Sequence, residues 1–406
     1  MNAPNEATVR AAPSAEALRL IDCLLGFPTV SRDSNLALIE FARDHLLKLG
    51  ARPRLVYESS RRKANLFCSL GDEKAMQSGG LVLSGHTDTV PVAGQDWNTD
   101  PFKATHENGR IYARGSADMK GFIAVALAWA PRFLAASEQT PIHLALTFDE
   151  ETSFLGVKTL LADLAERGIK PAACLIGEPT DMQVVVAHKG KRDWCCRLRG
   201  REAHSSLTPS GVNAIEHAAQ IIAFIRGLAD RQAREEKRDA RFAVPYSTLQ
   251  TGMIRGGIAV NVVPRDCEFD FEMRNTPAVS QDALSEEIMA FAEHEVLPKM
   301  RDVAPESSIT FQPGMSLPAF GIAADAPLVA WAQDLAETRR LGPGAVGFAT
   351  EASMFMQAGI PTVVVGPGSI EQAHKPNEYI TYDQVTACER LFERLVRDPL
   401  PKLAFA

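Results

Sequence analysis

A chain of 406 residues is longer than one ordinary hydrophobic core supports, so two domains are expected. A hydrophobic content of 46% with 23% charged residues is that of a globular protein. The net charge of −7 argues against nucleic acid or an anionic membrane surface as the main partner, and no apolar run reaches the roughly 18–20 residues of a membrane-spanning helix.

In chain order, residues 1–15 lack an apolar stretch and read as a disordered leader, not a signal peptide. The seven cysteines are odd in number and form no C-x-x-C pair, which reads as reduced thiols in a cytoplasmic protein. Residues 15–27 place Leu18, Ile21, Leu24 and Leu25 on one face of a helix, and residues 35–49 repeat the pattern up to Gly50. Strands are expected over 54–57, 65–69 and 81–83, with a polar connection over 71–80 and a long loop over 91–101. The apolar, Ala-rich residues 121–129 suit a buried helix that Pro131 perturbs or ends. Residues 141–148 alternate, with Ile142, Leu144, Leu146 and Phe148 opposite His143, Ala145 and Thr147, so a strand should deliver Asp149, Glu150 and Glu151. A helix over 154–166 and a strand over 172–177 ending at Glu178 continue an alternation that predicts an α/β sheet with substantial parallel pairing.

The pattern then changes. Strand material over 183–199, a helix over 212–228 and a charged solvated stretch over 231–241 come first. A hairpin of 248–254 with 260–274, turning at Gly256-Gly257, a helix over 280–292 and a strand over 308–312 follow. This is the β-α-β-β-α-β order of a ferredoxin-like sheet. Helices over 327–336, 350–358 and 382–396 and a buried strand over 362–366 return to α/β character. The expected fold class is therefore α/β in two domains. Residues 1–189 and 313–406 form a mostly parallel catalytic domain, and residues 190–312 form an inserted ferredoxin-like domain.

The chemistry gathers at strand ends. His86 and Asp88 close one strand, Asp149-Glu150-Glu151 and Glu178 close two others, and Asp118 and His374 lie in loops. An H-x-D alone reads more readily as a turn with an Asp cap. In an open α/β sheet, however, such ends face one crevice, and two histidines with several carboxylates suit borderline divalent ions such as Zn²⁺, Co²⁺ or Mn²⁺. Asp88 is placed to hold the His86 ring from behind. His106, His143, His188 and His217 lack such company and read as structural or surface residues, and Trp97 and Phe102 as packing.

The segments Gly85-His86-Thr87-Asp88, Arg114-Gly115-Ser116-Ala117-Asp118-Met119-Lys120-Gly121 and Asp149-Glu150-Glu151 resemble the signature of the M20 family of co-catalytic metallopeptidases and amidohydrolases. The resemblance runs in order over nearly the whole chain. It implies two divalent ions, zinc with cobalt as an alternative. His86 and Glu178 would complete one site, Glu151 and His374 the other, and Asp118 would bridge both, its peptide to Met119 being cis. It further implies Glu150 as the general base acting on a metal-bridging water, and Asp88 as the orienter of His86. His204, in Gly200-Arg201-Glu202-Ala203-His204, would stabilise the oxyanion in the active site of a partner subunit, making a homodimer through the inserted domain. Asn261 and Arg274 match substrate-contacting positions.

Three segments, residues 84–92, 186–191 and 366–379, are most similar to the acetylornithine-deacetylating members of that family. They imply a small N-acyl amino acid substrate, N2-acetyl-L-ornithine, hydrolysed to ornithine and acetate in arginine biosynthesis. Glu351 is then the candidate partner of the cationic substrate side chain. Desuccinylation of succinyl-diaminopimelate, or a broader aminoacylase or dipeptidase activity, is the alternative, and a non-catalytic binding member of the fold the remote one.

Overall fold

The computed structural model describes residues 12–71, 79–136, 141–398 and 400. The leader over 1–15 up to residue 11, and most of the 71–80 connection, lie outside the described residues. The chain separates into two compact units. The first comprises Met1–Val186, Ile322–Gly344 and Thr350–Ala406; the second comprises Ala187–Gly321 with Ala345–Ala349.

The first unit is built on a mixed sheet whose four central strands run parallel. They are Ile142–Thr147, Leu81–His86, Ala173–Ile176 and Thr362–Val364, in that order. Antiparallel strands Ala64–Leu70 and Arg54–Tyr57 extend the sheet on one side and Val185–His188 on the other. Chain order places Ile142–Thr147 on one flank of Leu81–His86 and the next long strand on the opposite flank. That reversal opens a crevice at the carboxyl end of Leu81–His86.

The strand over 142–147 departs from its alternating pattern, because all six residues are buried. A sheet packed on both faces removes the solvent side that alternation presupposes. His143 is accommodated there by internal partners. Its Nε2–H donates to the Gly79 carbonyl at 3.0 Å, its Nδ1 lies 2.7 Å from Ser69 Oγ, and its ring stacks on Phe67.

The helix Lys120–Ala135 also differs from expectation by running through Pro131. Proline lacks the N–H that would reach the carbonyl four residues back, which is Leu127. His45 Nε2, from the helix Leu36–Lys48, lies 3.2 Å from that carbonyl and supplies the missing donor. The helix keeps its buried face, with Phe122, Ile123, Ala126, Leu127 and Ala130 in the core.

A small three-stranded sheet, Thr105–Glu107, Arg110–Tyr112 and Tyr379–Thr381, had no counterpart in the sequence reading. Tyr379 pairs with Tyr112 and Ile380 with Ile111, tying the chain around 374–378 to the segment that leads into Asp118.

The second unit is a four-stranded antiparallel sheet in the order Thr248–Gly256, Asp266–Arg274, Lys191–Arg199, Ser308–Leu317. The helices Ala214–Glu235 and Gln281–Phe291 give the β-α-β-β-α-β succession. Cys196, Leu198, Cys267, Phe269, Phe271 and Met273 are buried with Ile221, Ile225, Leu284 and Ile288 of the helices. The charged stretch after 228 is partly helical, since the helix runs on to Glu235.

The hairpin expected at Gly256-Gly257 is not a two-residue turn. The strands part at Gly256 and resume at Asp266. Between them, Val263 N–H donates to Ala203 O at 2.8 Å and Ser205 N–H to Asn261 O at 3.1 Å. The chain over 261–263 thus bonds to the 203–205 loop, and Pro264 has no N–H to offer a ladder. Among the described residues no helix is long and apolar enough to cross a membrane.

Candidate metal centre

Strand register brings the first group together. His86 is paired with Thr147 in the parallel ladder, so Glu150 and Glu151 leave the neighbouring strand just beyond it. On the other flank Ser84 is paired with Ile176, which carries Glu178 to the level of His86. Gly177 makes that approach tight, because a Cβ there would overlap the Phe122 ring. The ligand atoms of His86, Glu150 and Glu178 lie within 4.8 Å of one another, as do those of His86, Asp118 and Glu151.

Asp118 arrives from the N-terminal end of the helix Lys120–Ala135, and its peptide to Met119 is cis, as the resemblance implied. Its Oδ1 is 3.0 Å from His86 Nε2 and its Oδ2 3.4 Å from His374 Nε2. His374 Nε2 is also 3.0 Å from Glu151 Oε2. The carboxylate of Asp118 therefore stands between two imidazoles, one oxygen toward each. His86, Asp118, Glu150 and Glu178 are at most 6% exposed, whereas the His374 side chain is 53% exposed on its loop.

The His86 ring is held by a different atom of Asp88 than expected. Nδ1–H donates to the main-chain oxygen of Asp88 at 3.0 Å, while the nearer carboxylate oxygen is 3.7 Å away. That carboxylate has other donors, accepting from Ser31 Oγ at 2.6 Å and from the N–H groups of Glu150 and Glu151 at 3.1 and 3.3 Å. Asp88 thus orients the ring through its backbone and fixes the acidic turn through its side chain. With Nδ1 donating to the Asp88 main chain, Nε2 is the nitrogen that faces Asp118.

Burial and mutual repulsion decide the electrostatics. Glu150 is pushed well above the usual carboxyl range by burial and then by the Glu178 charge, and Glu178 by burial and then Asp118. Burial opposes charge on His86, but the hydrogen bond its Nε2–H donates to Asp118 and the charges of Glu178 and Asp118 outweigh it and raise the ring well above its ordinary value. His374 is raised to about 10 by its hydrogen bonds with Asp118 and Glu151. An imidazole lone pair and a carboxylate oxygen are both acceptors, so contacts of 3.0 Å between them require a shared proton or a shared cation. Nitrogen and oxygen donors in this number, buried and acceptor-rich, fit borderline divalent ions.

The remaining expected residues lie elsewhere. Glu351 is 1% exposed, with Oε2 accepting from Ser84 Oγ at 3.2 Å and Oε1 lacking a partner, and burial raises it to about 7. A carboxyl enclosed beneath the cluster does not present itself to a substrate ammonium, which departs from the role expected for it. His204, Asn261 and Arg274 belong to the second unit. His204 is exposed, bridged to Val262 and next to Asn261. Arg274, paired with Glu272 at 2.9 Å, is at the far end of the strand Asp266–Arg274 from that loop. The nine-residue strand lies between the two places.

Two residues that no motif argument assigned turn out to support the centre. Glu378, from the quoted 366–379 segment, and Arg114, the first residue of the quoted Asp118 segment, form a buried ion pair at 2.7 Å. The sequence signal was only their adjacency to proposed ligands.

A family model described as peptidase family M20/M25/M40 matches residues 82–398. The chain is 34% identical over 388 residues to the acetylornithine deacetylase of Pasteurella multocida, covering 93% of this chain and 97% of that protein. It is 35% identical over 385 residues to the acetylornithine deacetylase of Proteus mirabilis, covering 92% and 94%. Among solved structures, aminopeptidase PepT from Bacillus cereus superposes with a TM-score of 0.72 at 20% identity over 94% of this chain and 97% of that one. A Bacillus subtilis protein described as a dinuclear metal binding peptidase from the M20 family superposes with a TM-score of 0.64 at 14% identity, covering 94% and 98%.

Proposed function

The chain belongs to peptidase family M20/M25/M40, and on that premise we propose that it is a metal-dependent amidohydrolase of linear amides. Its substrate in this reading is N2-acetyl-L-ornithine, converted to L-ornithine and acetate for arginine biosynthesis in the cytoplasm. The observation that carries the reaction class is the Asp118 carboxylate standing between His86 and His374 with Glu150, Glu151 and Glu178 around it. The substrate rests on the two relatives at 34% and 35% identity.

In this proposal His86 and Glu178 hold one divalent ion, Glu151 and His374 a second, and Asp118 both, with zinc the favoured metal and cobalt an alternative. A pair of such ions supplies Lewis acidity toward the scissile carbonyl and neutralises the charge of the buried carboxylates. Glu150 is the acidic side chain left over. It takes a proton from the attacking water as the C–O bond forms and returns it to the nitrogen as the C–N bond breaks. Its elevated proton affinity, caused by burial and Glu178, favours taking the proton, and the basicity of the departing amine nitrogen draws it off again.

The second unit supplies the oxyanion donor His204 with Asn261, and Arg274 binds the substrate carboxylate through its planar guanidinium. The position of the His204 loop and Arg274 at opposite ends of a nine-residue strand argues that one protomer does not bring both to one site. A homodimer in which each chain lends His204 to its partner resolves this. The outer edge of Thr248–Gly256 is unpaired among the described strands, and Met253, Ile254, Ile258 and Val260 are exposed along and beyond it, as an interface would leave them.

A substrate panel tests the reading. Acetate release from N2-acetyl-L-ornithine should exceed turnover of N-succinyl-diaminopimelate, neutral N-acetyl-amino acids and dipeptides. A preference for any of these reassigns the substrate, and no turnover of any of them ends the enzymatic proposal.

A further inference from the structure

The two halves of the proposed centre are built by different means. His86, Glu150 and Glu178 follow directly from adjacent parallel strands whose register is enforced by the core. Asp118 and His374 do not. One lies in a turn before a helix and the other on an exposed loop whose main chain has a positive φ of 62°. Something other than the sheet must bring these two together.

Glu378 occupies the place where this happens. Its side chain is fully buried. One carboxylate oxygen accepts the main-chain N–H groups of Ala117 at 2.9 Å and of Asp118 at 3.1 Å. The other accepts from Arg114 Nη1 at 2.7 Å. Arg114 passes the connection on. Its Nη2 donates to Gln95 Oε1 at 2.7 Å, and Gln95 Nε2 donates to the main-chain oxygen of His374 at 2.8 Å. Arg114 Nη1 also reaches the Lys375 carbonyl at 3.3 Å, and its guanidinium lies over the Trp97 ring. The Asp118 turn and the His374 loop are thus bound to the same ion pair by a continuous run of hydrogen bonds.

We propose that Glu378, with Arg114 and Gln95, is the positioning device that sets Asp118 and His374 as a pair, so that its loss weakens the ion assigned to Glu151 and His374 more than the ion assigned to His86 and Glu178, which loses only part of its shared Asp118 ligand. The inference rests on the two-ion reading given above and adds a residue to it. Glu378 is suited to this because an ionised carboxylate offers only acceptors, and every group facing it is a donor. A glutamine in its place turns an NH₂ group either toward Arg114 or toward the two main-chain N–H groups. Either orientation sets donor against donor. Residues that orient ligands from behind commonly change metal affinity by about 10–100-fold when replaced.

The test is calorimetric titration of the metal-stripped full-length protein with Zn²⁺, comparing wild type with Glu378→Gln and Gln95→Ala, and with thermal unfolding of each metal-free form. The wild type should take up two ions in resolvable steps. Both variants should weaken one step by about 10–100-fold and the other by distinctly less, with unfolding still cooperative. Rescue should be partial in Glu378→Asp, which keeps the charge but shortens the reach. Two unaltered steps in both variants overturn the inference while leaving the two-ion reading intact. Equal weakening of both steps also overturns it, as does a Glu378→Gln protein that fails to fold beside a Gln95→Ala protein that binds normally. A wild type that takes up no more than one ion removes the two-ion reading, and this inference with it.

Discussion

Asp118 Oδ1 lies 3.0 Å from His86 Nε2, while its other oxygen faces His374 at 3.4 Å. A carboxylate so placed is shared, and its removal should be felt on both sides. Asp118→Ala is expected to lower bound metal to less than one ion per chain, whereas His86→Ala should empty or cripple one position. Metal content by atomic absorption after dialysis checks both. Full occupancy and activity in His86→Ala would end the proposed assignment.

Glu150 has a different expected signature. As a proton carrier and not a ligand, it should leave metal content unchanged when replaced by alanine. The rate should fall by about 10²–10⁴-fold, the usual contribution of a positioned acid or base. Acetate release measured beside metal analysis separates this from loss of a ligand, which would lower both.

The shared-site dimer predicts complementation. Glu150→Ala and His204→Ala homodimers should each be nearly inactive. Mixing and re-equilibrating them should restore about a quarter of wild-type activity, since half the dimers are hybrids and each hybrid has one complete site. Absence of recovery, with hybrid formation verified by differential tagging, would count against His204 acting across subunits.

His45 is expected to matter for stability alone. Its hydrogen bond to Leu127 O serves the carbonyl that Pro131 leaves without a helical donor. His45→Ala should cost about 1–3 kcal/mol, the penalty for an unsatisfied buried polar group. Urea denaturation reads that loss. Adding Pro131→Ala should recover much of it by restoring the helical N–H.

His143 should make stability depend on acid. Burial lowers its affinity for a proton and outweighs the hydrogen bond to the Gly79 carbonyl, which favours the charged ring. Below the unfolded value of about 6.5 the unfolded chain binds a proton that the folded chain resists. The contribution is therefore intact above that pH and is lost as pH falls toward the depressed folded value. Relative to wild type, His143→Gln should show a shallower loss of stability on acidification over this window.

Much of the centre was legible because each part is a local event. Alternating or continuous apolar residues mark strands, and a His or an acidic pair at a strand's end needs only that strand to be placed. The β-α-β-β-α-β succession was equally readable, being an order of elements and not a geometry. Where local reading failed, a distant partner had intervened. Pro131 does not end its helix because His45 answers the orphaned carbonyl. The Gly256-Gly257 turn does not close because residues 261–263 bond to 203–205 instead. Glu351 reads in sequence as the partner of a cationic substrate side chain, and the fold encloses it beside Ser84.

The sequence by itself determined which residues are candidates for the chemistry, since donor atoms, acidity and strand periodicity are properties of residues and their near neighbours. The tertiary structure decided which of them meet and which atom of each does the meeting. Asp88 holds His86 by its backbone and the acidic turn by its carboxylate, and Glu378 joins Asp118 to a histidine loop far along the chain. The physical reason is that a hydrogen bond is specified by distances of a few tenths of an ångström. Those distances arise only after the core has packed and set the register of strands remote in sequence.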